Sequence, residues 1–300
     1  MSGMKRYFWM GLALLLVACH HAPRVERAAH DFVIPTAPAT MSREAQIDYL
    51  ADHYWDHFPF ADSLALVRAD SAAMLRHFAQ FAALLSNKPL RRAPMDTLMR
   101  RASKSRFTLD YFASLADEVL DNPNAPLRSS ELYIPVLEAL LRAPYYDAYE
   151  RIYPEHALQM ALKNRLGGPA TNFQFRTRAG VEQSLYELQA DYTLILFSNP
   201  DCAMCAMLKA LILHDAEIVE QLTNGRLTML LLYPDEDMKA WRTAKAAEEV
   251  WIDACDEQGT IRREELYDLR AIPSLYLLDR QKRVLVKDST DPREIAAAMR

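Results

Sequence analysis

Two cysteines three residues apart, Cys202 and Cys205, are the residues of this chain whose spacing best suits chemistry. They stand between an apolar run, Tyr192 to Phe197, that predicts a buried strand and a segment with helical apolar spacing. Cysteines at positions i and i+3 of a first helical turn come close enough to form a disulfide. Free N–H groups at a helix N-terminus stabilise a thiolate on the first cysteine, which lowers its pKa below the usual ~8.5. The pattern therefore predicts a redox pair with a reactive Cys202 and a more buried Cys205.

Zinc binding is the other chemistry that uses this spacing. A structural zinc site needs two further Cys or His ligands, and the nearest other cysteine in the sequence is Cys255. The order of strand, cysteine pair and helix favours the redox interpretation over zinc. Cys255 follows Trp251 to Ala254 and is interpreted as a small half-buried side chain, with a third redox thiol as the alternative.

A proline, Pro273, stands directly before another apolar run, Ser274 to Leu278. Proline cannot donate to a strand ladder, and the bond before it is the one peptide bond for which the cis form is inexpensive. Further elements are predicted as a strand at Leu227 to Tyr233, a helix at Asp235 to Glu249, a hairpin strand at Val284 to Val286 and a last helix at Asp291 to Arg300. Strands that alternate with helices predict an α/β fold.

Together these features resemble the thioredoxin superfamily, in particular the TlpA/ResA-like branch of membrane-anchored thiol–disulfide oxidoreductases. The resemblance covers about residues 166–300, including the opening Gly167-Gly168-Pro169-Ala170. It implies that Cys202 is the nucleophile, Cys205 the resolving thiol and Pro273 a cis-proline that faces both. These three are the predicted catalytic residues.

The chain departs from that family at the redox motif itself. Asp201 replaces the usual aromatic residue before the first cysteine, Ala203 and Met204 stand between the cysteines without the common proline, and Leu196 replaces thioredoxin's buried acid. The family's proton-transfer route and redox potential therefore cannot be transferred to this chain. The charge of Asp201 would raise the pKa of Cys202 and oppose the helix.

The first residues are predicted to be a targeting signal. Lys5 and Arg6 precede an apolar run, Tyr7 to Ala18, that is shorter than the ~20 residues of a membrane-spanning helix. The sequence Leu16-Val17-Ala18-Cys19 resembles the lipobox of bacterial lipoproteins, which implies cleavage before Cys19 and lipid attachment to it. An ordinary signal peptide with a stray cysteine is the alternative. His20 in place of Asp implies sorting to the outer membrane, facing the periplasm.

Such a compartment is oxidising and permits disulfides. Three cysteines follow Cys19, which is an odd number. One of them is therefore unpaired, or the cysteine pair does not form a permanent structural disulfide.

Residues 41–165 are predicted to form a helical bundle. No glycine lies between Leu12 and Leu166, and the apolar stripes indicate roughly five to seven helices. One helix is expected from about Tyr146 to Arg165, with a kink at Pro154 and Gly167 at its C-terminus. The segments His53 to Phe58, Leu127 to Pro135 and Lys163 to Arg165 resemble a helical domain of unknown function that precedes thioredoxin-like domains in some bacterial lipoproteins. That resemblance implies no activity.

Two features of this region could carry chemistry. His53 and His57 are spaced to hold a metal, but no second ligand set follows and Phe58-Pro59 should end the helix, so we interpret them as exposed or capping residues. A basic cluster is interpreted as a solvated surface; it comprises Arg91, Arg92, Arg100, Arg101, Lys104 and Arg106.

The sequence thus predicts four segments: a signal peptide at 1–18, a tether at 19–40, an all-α helical-bundle domain of unknown function at 41–165 and an α/β thioredoxin-like domain at 166–300. The predicted function is that of a lipid-anchored oxidoreductase that exchanges disulfides with exported proteins and with an unidentified membrane electron donor or acceptor. No cofactor or metal is expected. A net charge of −5 disfavours nucleic-acid binding.

Two alternatives remain for the function. In the first, the chain is a non-catalytic binding or scaffold lipoprotein with a structural disulfide. In the second, it binds metal through His53, His57 or the His20-His21 pair.

Overall fold

The computed structural model describes residues 33–62, 70–86 and 90–300. The predicted signal peptide, the lipidation site Cys19 and the His20-His21 pair lie outside the described residues. Within the described part of the chain, no helix is both long enough and apolar enough to cross a bilayer.

The amino-terminal half is helical. Its helices are α1 (Arg43–His53), α2 (Ser71–Leu85), α3 (Ala93–Ala102), α4 (Arg106–Ala116) with a following π-helical turn (Asp117–Asp121), α5 (Ser130–Arg142) and α6 (Ile152–Ala161). The starts of several helices are set by side chains that accept a free backbone N–H: Ser42, Asp70, Ser105 and Ser129 occupy these N-cap positions.

Aromatic side chains form the centre of the helical core. The Phe112 ring lies 5.1 Å from the Trp55 ring and 5.2 Å from the Phe58 ring, in edge-to-face geometry. Phe78 and Phe81 on α2 have no exposed surface. The apolar stripes predicted from the sequence therefore meet in one core, which explains why these segments form helices together.

Three predicted helix boundaries in the helical half are wrong. The helix expected from about Tyr146 begins at Ile152, and Pro154 lies in its first turn, where the missing N–H costs no hydrogen bond and causes no kink. This helix ends at Ala161, so Gly167 belongs to the connection and does not cap it. Helix α1 ends at His53, four residues before the predicted end at His57.

The carboxy-terminal half is built on a seven-stranded sheet in the order β2-β1-β5-β4-β3-β6-β7. Its strands are β1 (Gln174–Thr177), β2 (Glu182–Ser184), β3 (Tyr192–Phe197), β4 (Leu227–Tyr233), β5 (Trp251–Cys255), β6 (Ser274–Asp279) and β7 (Val284–Val286). Strands β3, β4 and β5 run parallel, whereas β6 pairs antiparallel with β3. The predicted strands at β3, β4, β6 and β7 are confirmed.

Helices cover both faces of this sheet: α7 (Ala203–His214), α8 (Ala216–Thr223), α9 (Met238–Thr243), α10 (Thr260–Arg263) and α11 (Pro292–Ala297). Alternate residues of β3 enter different cores. Leu194 and Leu196 belong to one core, Ile195 and Phe197 to the other. The continuous apolar run at β3 thus reflects a strand buried on both faces.

The helix predicted at Asp235 to Glu249 is too long. Helix α9 ends at Thr243, and the backbone N–H of Ala247 donates to the Asp253 carboxylate at 2.9 Å. The indole N–H of Trp241 donates to the same carboxylate at 3.0 Å. A side chain of β5 thus binds the segment that would have continued the helix.

Candidate functional site

Cys202 and Cys205 lie where β3 leads into α7. Cys202 is the N-cap residue of α7, and its Sγ accepts the backbone N–H of Cys205 at 3.0 Å. The two cysteines form a disulfide, with their Cα atoms 5.2 Å apart. Cys202 therefore lies beside a backbone N–H at the helix N-terminus, as the sequence predicts. Once the disulfide is reduced, this N–H and the helix dipole stabilise a thiolate at Cys202.

Access to the two sulfurs differs. Cys202 is partly exposed, whereas Cys205 is 1% exposed and belongs to the buried face of α7. A partner can therefore reach Cys202 directly, while Cys205 is reached only through Cys202.

The Pro273 segment faces Cys202 from the neighbouring strand. Residue Phe197 at the end of β3 pairs with Ser274 at the start of β6, so the residues that follow β3 and precede β6 meet. The carbonyl oxygen of Ile272 lies 3.9 Å from Cys202 Sγ, and the Ile272–Pro273 peptide bond is cis. The fold thus brings the three predicted catalytic residues together.

The surroundings of the site carry negative charge. Asp201 is exposed directly before Cys202. Burial, followed by the charges of nearby carboxylates including Asp235, Asp237 and Asp201, raises the pKa of Tyr233. Leu196 is fully buried in the core that α7 covers, so apolar packing fills the position where thioredoxin has its acid.

An apolar exposed face of α7 adjoins the disulfide. Met204, Met207 and Leu211 are 57%, 50% and 48% exposed, whereas Leu208 and Ile212 on the same helix are buried. The sequence analysis predicts only that this segment is a helix with apolar spacing, and it does not predict this exposed face. The sequence signal that could have predicted the exposed apolar face is the presence of apolar residues on both faces of the helix, because a single buried stripe occupies only one face.

Cys255 is 1% exposed and so more buried than predicted. Burial, followed by the charge of Glu257, raises the pKa of its thiol to about 11, so this cysteine stays protonated at neutral pH. A buried protonated thiol is a poor nucleophile, which favours the structural interpretation of Cys255.

The other candidate groups bind partners within the protein. Nδ1 of His53 lies 2.6 Å from the Asp56 carboxylate, and its ring packs against Tyr49. In residues 33–62, 70–86 and 90–300, no group of three or more His, Cys, Asp or Glu is placed to hold a metal ion. Arg91 and Arg101 of the basic cluster pair with carboxylates of α1 and the turn after it.

A solved structure with the same arrangement of elements identifies the family. The crystal structure of a thioredoxin-like protein from Bacteroides caccae is 32% identical, with a TM-score of 0.82 over 90% of this chain and 98% of that chain. This chain belongs to the thioredoxin-like family. The α/β thioredoxin-like fold with a preceding helical domain is therefore confirmed.

The helical half matches a separate family, described as a domain of unknown function (DUF5106), over residues 20–164.

A conserved protein of unknown function from Bacteroides fragilis is 36% identical, covering 44% of this chain and 98% of that chain with a TM-score of 0.42. The C-terminal domain of an uncharacterized protein from the same species is 37% identical, covering 45% of this chain and 96% of that chain with a TM-score of 0.42. No curated protein matches the chain.

Proposed function

We propose that this protein is a lipid-anchored thiol–disulfide oxidoreductase that exchanges disulfides with exported proteins through Cys202 and Cys205. The observation that carries the proposal is the unequal environment of the two sulfurs. Cys202 is accessible, caps α7 and accepts the Cys205 N–H, whereas Cys205 is buried directly behind it. This is the division of roles that a nucleophile and a resolving thiol require.

The exchange proceeds in two steps. The Cys202 thiolate attacks one sulfur of a partner disulfide, a bond forms between Cys202 and the partner, and the other partner sulfur leaves as a thiolate that takes a proton from water. The Cys205 thiol then loses its proton and attacks Cys202 Sγ, which releases the second partner sulfur. Two electrons have moved to the partner, and the Cys202–Cys205 disulfide has formed. The reverse sequence oxidises a partner dithiol.

The scaffold alternative assigns the disulfide a purely structural role. Cys202 and Cys205 are only three residues apart in sequence, so their bond closes a very short loop. On the loop-entropy estimate such a bond stabilises a protein by only about 2 kcal/mol, compared with about 4.7 kcal/mol for a 100-residue loop. This small stabilisation favours a role in disulfide exchange over a purely structural role for the Cys202–Cys205 pair.

A direct test uses the reduced protein and a synthetic peptide with one intramolecular disulfide. We expect the peptide to gain two thiols while the protein gains the Cys202–Cys205 disulfide, as mass spectrometry after thiol blocking would measure. Cys255→Ser is the matched control and should react at the wild-type rate, because Cys255 is buried and protonated. A protein that neither reduces the disulfide peptide nor, in its oxidised form, oxidises the dithiol form of the same peptide would favour the scaffold.

Membrane attachment through lipid on Cys19 is the second part of the proposal. Its support is the order of Lys5 and Arg6, the apolar run and Leu16-Val17-Ala18-Cys19. Attachment there would place the thioredoxin-like domain in the cell envelope, at the outer membrane and facing the periplasm, with a membrane electron donor or acceptor within reach.

Cys19→Ser is expected to release the protein from membranes, because acyl chains rather than a spanning helix would hold it there. The measurement is the share of protein that pellets with membranes after salt and carbonate washes, with Cys255→Ser as the control that stays attached. A Cys19→Ser protein that still pellets shows that the anchor lies elsewhere.

A further inference from the structure

The segment that carries Pro273 is bound to the helical domain along its length. We call residues 264–273, between α10 and β6, the Pro273 loop. Its contacts with the helical half and the connection after it include the following five. These are His156 to Glu265 at 2.9 Å, Lys163 Nζ to the Glu265 carbonyl at 2.7 Å, Asn164 Nδ2 to the Leu266 carbonyl at 2.8 Å, Arg128 to Asp268 at 2.7 Å and Asp121 to Arg270 at 2.8 Å.

The contact nearest to Pro273 is a two-pronged ion pair. Both terminal nitrogens of Arg270 donate to the Asp121 carboxylate, each at 2.8 Å. The same guanidinium binds Asp268 within the loop, with its Nε 3.0 Å from one carboxylate oxygen. Asp121 also accepts the hydroxyl of Tyr153 at 2.9 Å and is only 13% exposed. Arg270 therefore joins the loop to a carboxylate that the helical domain holds in place.

On the side that faces the helical domain, close packing does not support the loop near Arg270. Between these contacts, an open pocket of about 240 Å³ lies between the loop and the helical domain, and Tyr133, Tyr153, Leu269 and Arg270 are among the residues that line it. A loop beside a cavity gains little from apolar contact on that side. The ion pairs of Arg270 and Arg128 therefore hold this part of the loop on the side that faces the helical domain. On the other side, Tyr267 and Leu269 are buried in the core of the sheet.

The position of the loop matters for the cysteines because Ile272 follows Arg270 by two residues. The Ile272 carbonyl oxygen lies 3.9 Å from Cys202 Sγ, so it forms a wall of the space that a partner sulfur must enter. We propose that Arg270, held by Asp121 of the helical domain, is a positioning residue for disulfide exchange at Cys202. This inference rests on the proposed function. In it, the helical domain holds the loop that lies beside Cys202.

The test compares Asp121→Asn, Arg270→Gln and the double variant in the full chain, with the disulfide peptide described above as the probe. An excess of a small dithiol reduces the Cys202–Cys205 disulfide between turnovers, and the rate of peptide reduction without protein is subtracted. Each single variant is expected to lower kcat for peptide reduction by about 10- to 100-fold, because small misplacements of reacting groups have effects of this size. The double variant should be no slower than the slower single variant, because the two residues act as one unit. Asp121→Glu retains the carboxylate and should recover part of the rate.

Controls come from another two-pronged pair of an arginine with a carboxylate, which is more exposed than the pair of Arg270 with Asp121. Arg300 binds both oxygens of the Glu217 carboxylate on α8 at 2.7 to 2.9 Å. Glu217→Gln and Arg300→Gln should leave kcat unchanged. Thermal unfolding of every variant shows that the assay is run on folded protein. Should Asp121→Asn not fold, Arg270→Lys keeps the charge but cannot bridge both carboxylates, and the same fall in kcat is expected of it.

The outcomes separate this inference from the proposed function. A wild-type protein that reduces the peptide beside an equally fast Asp121→Asn overturns the positioning role and leaves the oxidoreductase standing. Additive losses in the double variant overturn it too, since Arg270 would then act without Asp121. A wild-type protein that neither reduces the peptide nor, in its oxidised form, oxidises the dithiol form of the peptide overturns the proposed function, and the positioning role with it.

Discussion

The Cys205→Ser variant is expected to accumulate mixed disulfides with partner proteins, whereas Cys202→Ser should accumulate almost none. Without Cys205, the thiolate of Cys202 still attacks a partner disulfide, but nothing releases the product. Without Cys202, the remaining thiol lies in the buried face of α7 and is 1% exposed, so partners do not reach it. The expected difference is close to all or none, because the resolving step is removed in one variant and the attacking step in the other.

The measurement is a non-reducing gel of each variant taken from the cells that express it, with thiols blocked at harvest. Cys255→Ser in the same background is the control and should change neither pattern, because that thiol is buried with a pKa of about 11. The scaffold hypothesis predicts another result: both variants lose some stability, and both form equally few mixed disulfides with partner proteins. Equal, negligible adducts would therefore decide for the scaffold.

The site itself could be predicted because its signals are local. Tyr192 to Phe197 is a continuous apolar run, and a strand buried on both faces needs one. The cysteine spacing and Pro273 follow from short stretches of chain, and the pairing of β3 with β6 brings them together. The family resemblance supplied the roles of the three residues, which spacing alone leaves open between redox and zinc chemistry.

The missed features depend on contacts between distant residues. Asp253 on β5 binds Ala247 and so shortens α9, although the residues after Thr243 have helical character. Asp121 and Arg270 are 149 residues apart, and no periodic pattern predicts that a π-helical turn and the Pro273 loop meet. Local spacing carries no information about such pairs, and they determine how the two halves fit.

Asp268 should make the free energy of unfolding depend on pH in the acid range. Burial raises its pKa, but hydrogen bonds from Arg270 and the charges of Arg128 and Arg270 outweigh burial and lower it from 3.8 to about 2. Because the folded pKa lies below the unfolded one, the unfolded chain takes up the proton first as pH falls. The ionised carboxylate therefore contributes about 2 kcal/mol at neutral pH, which is lost between about pH 4 and pH 2.

Replacing Asp268 by Asn removes this dependence along with the charge. The side chain is 17% exposed and bridges two arginines, so Asp268→Asn should lower the free energy of unfolding at pH 7 by about 3–5 kcal/mol, the range for breaking a buried ion pair. The matched control is Asp191→Asn, whose exposed pair with Arg226 should contribute at most about 1 kcal/mol.

Denaturant titrations of the wild type, Asp268→Asn and Asp191→Asn at a series of pH values between 7 and 2 give the comparison. The difference in the free energy of unfolding between the wild type and Asp268→Asn should narrow by about 2 kcal/mol from pH 5 to pH 2. The reason is that the wild-type carboxylate becomes protonated over this range and then resembles the amide. The gap to Asp191→Asn should stay small throughout. Wild-type and Asp268→Asn stabilities that run parallel over this range would show that the arginines do not hold Asp268 ionised in acid, and that another group governs the acid sensitivity of the junction between the two domains.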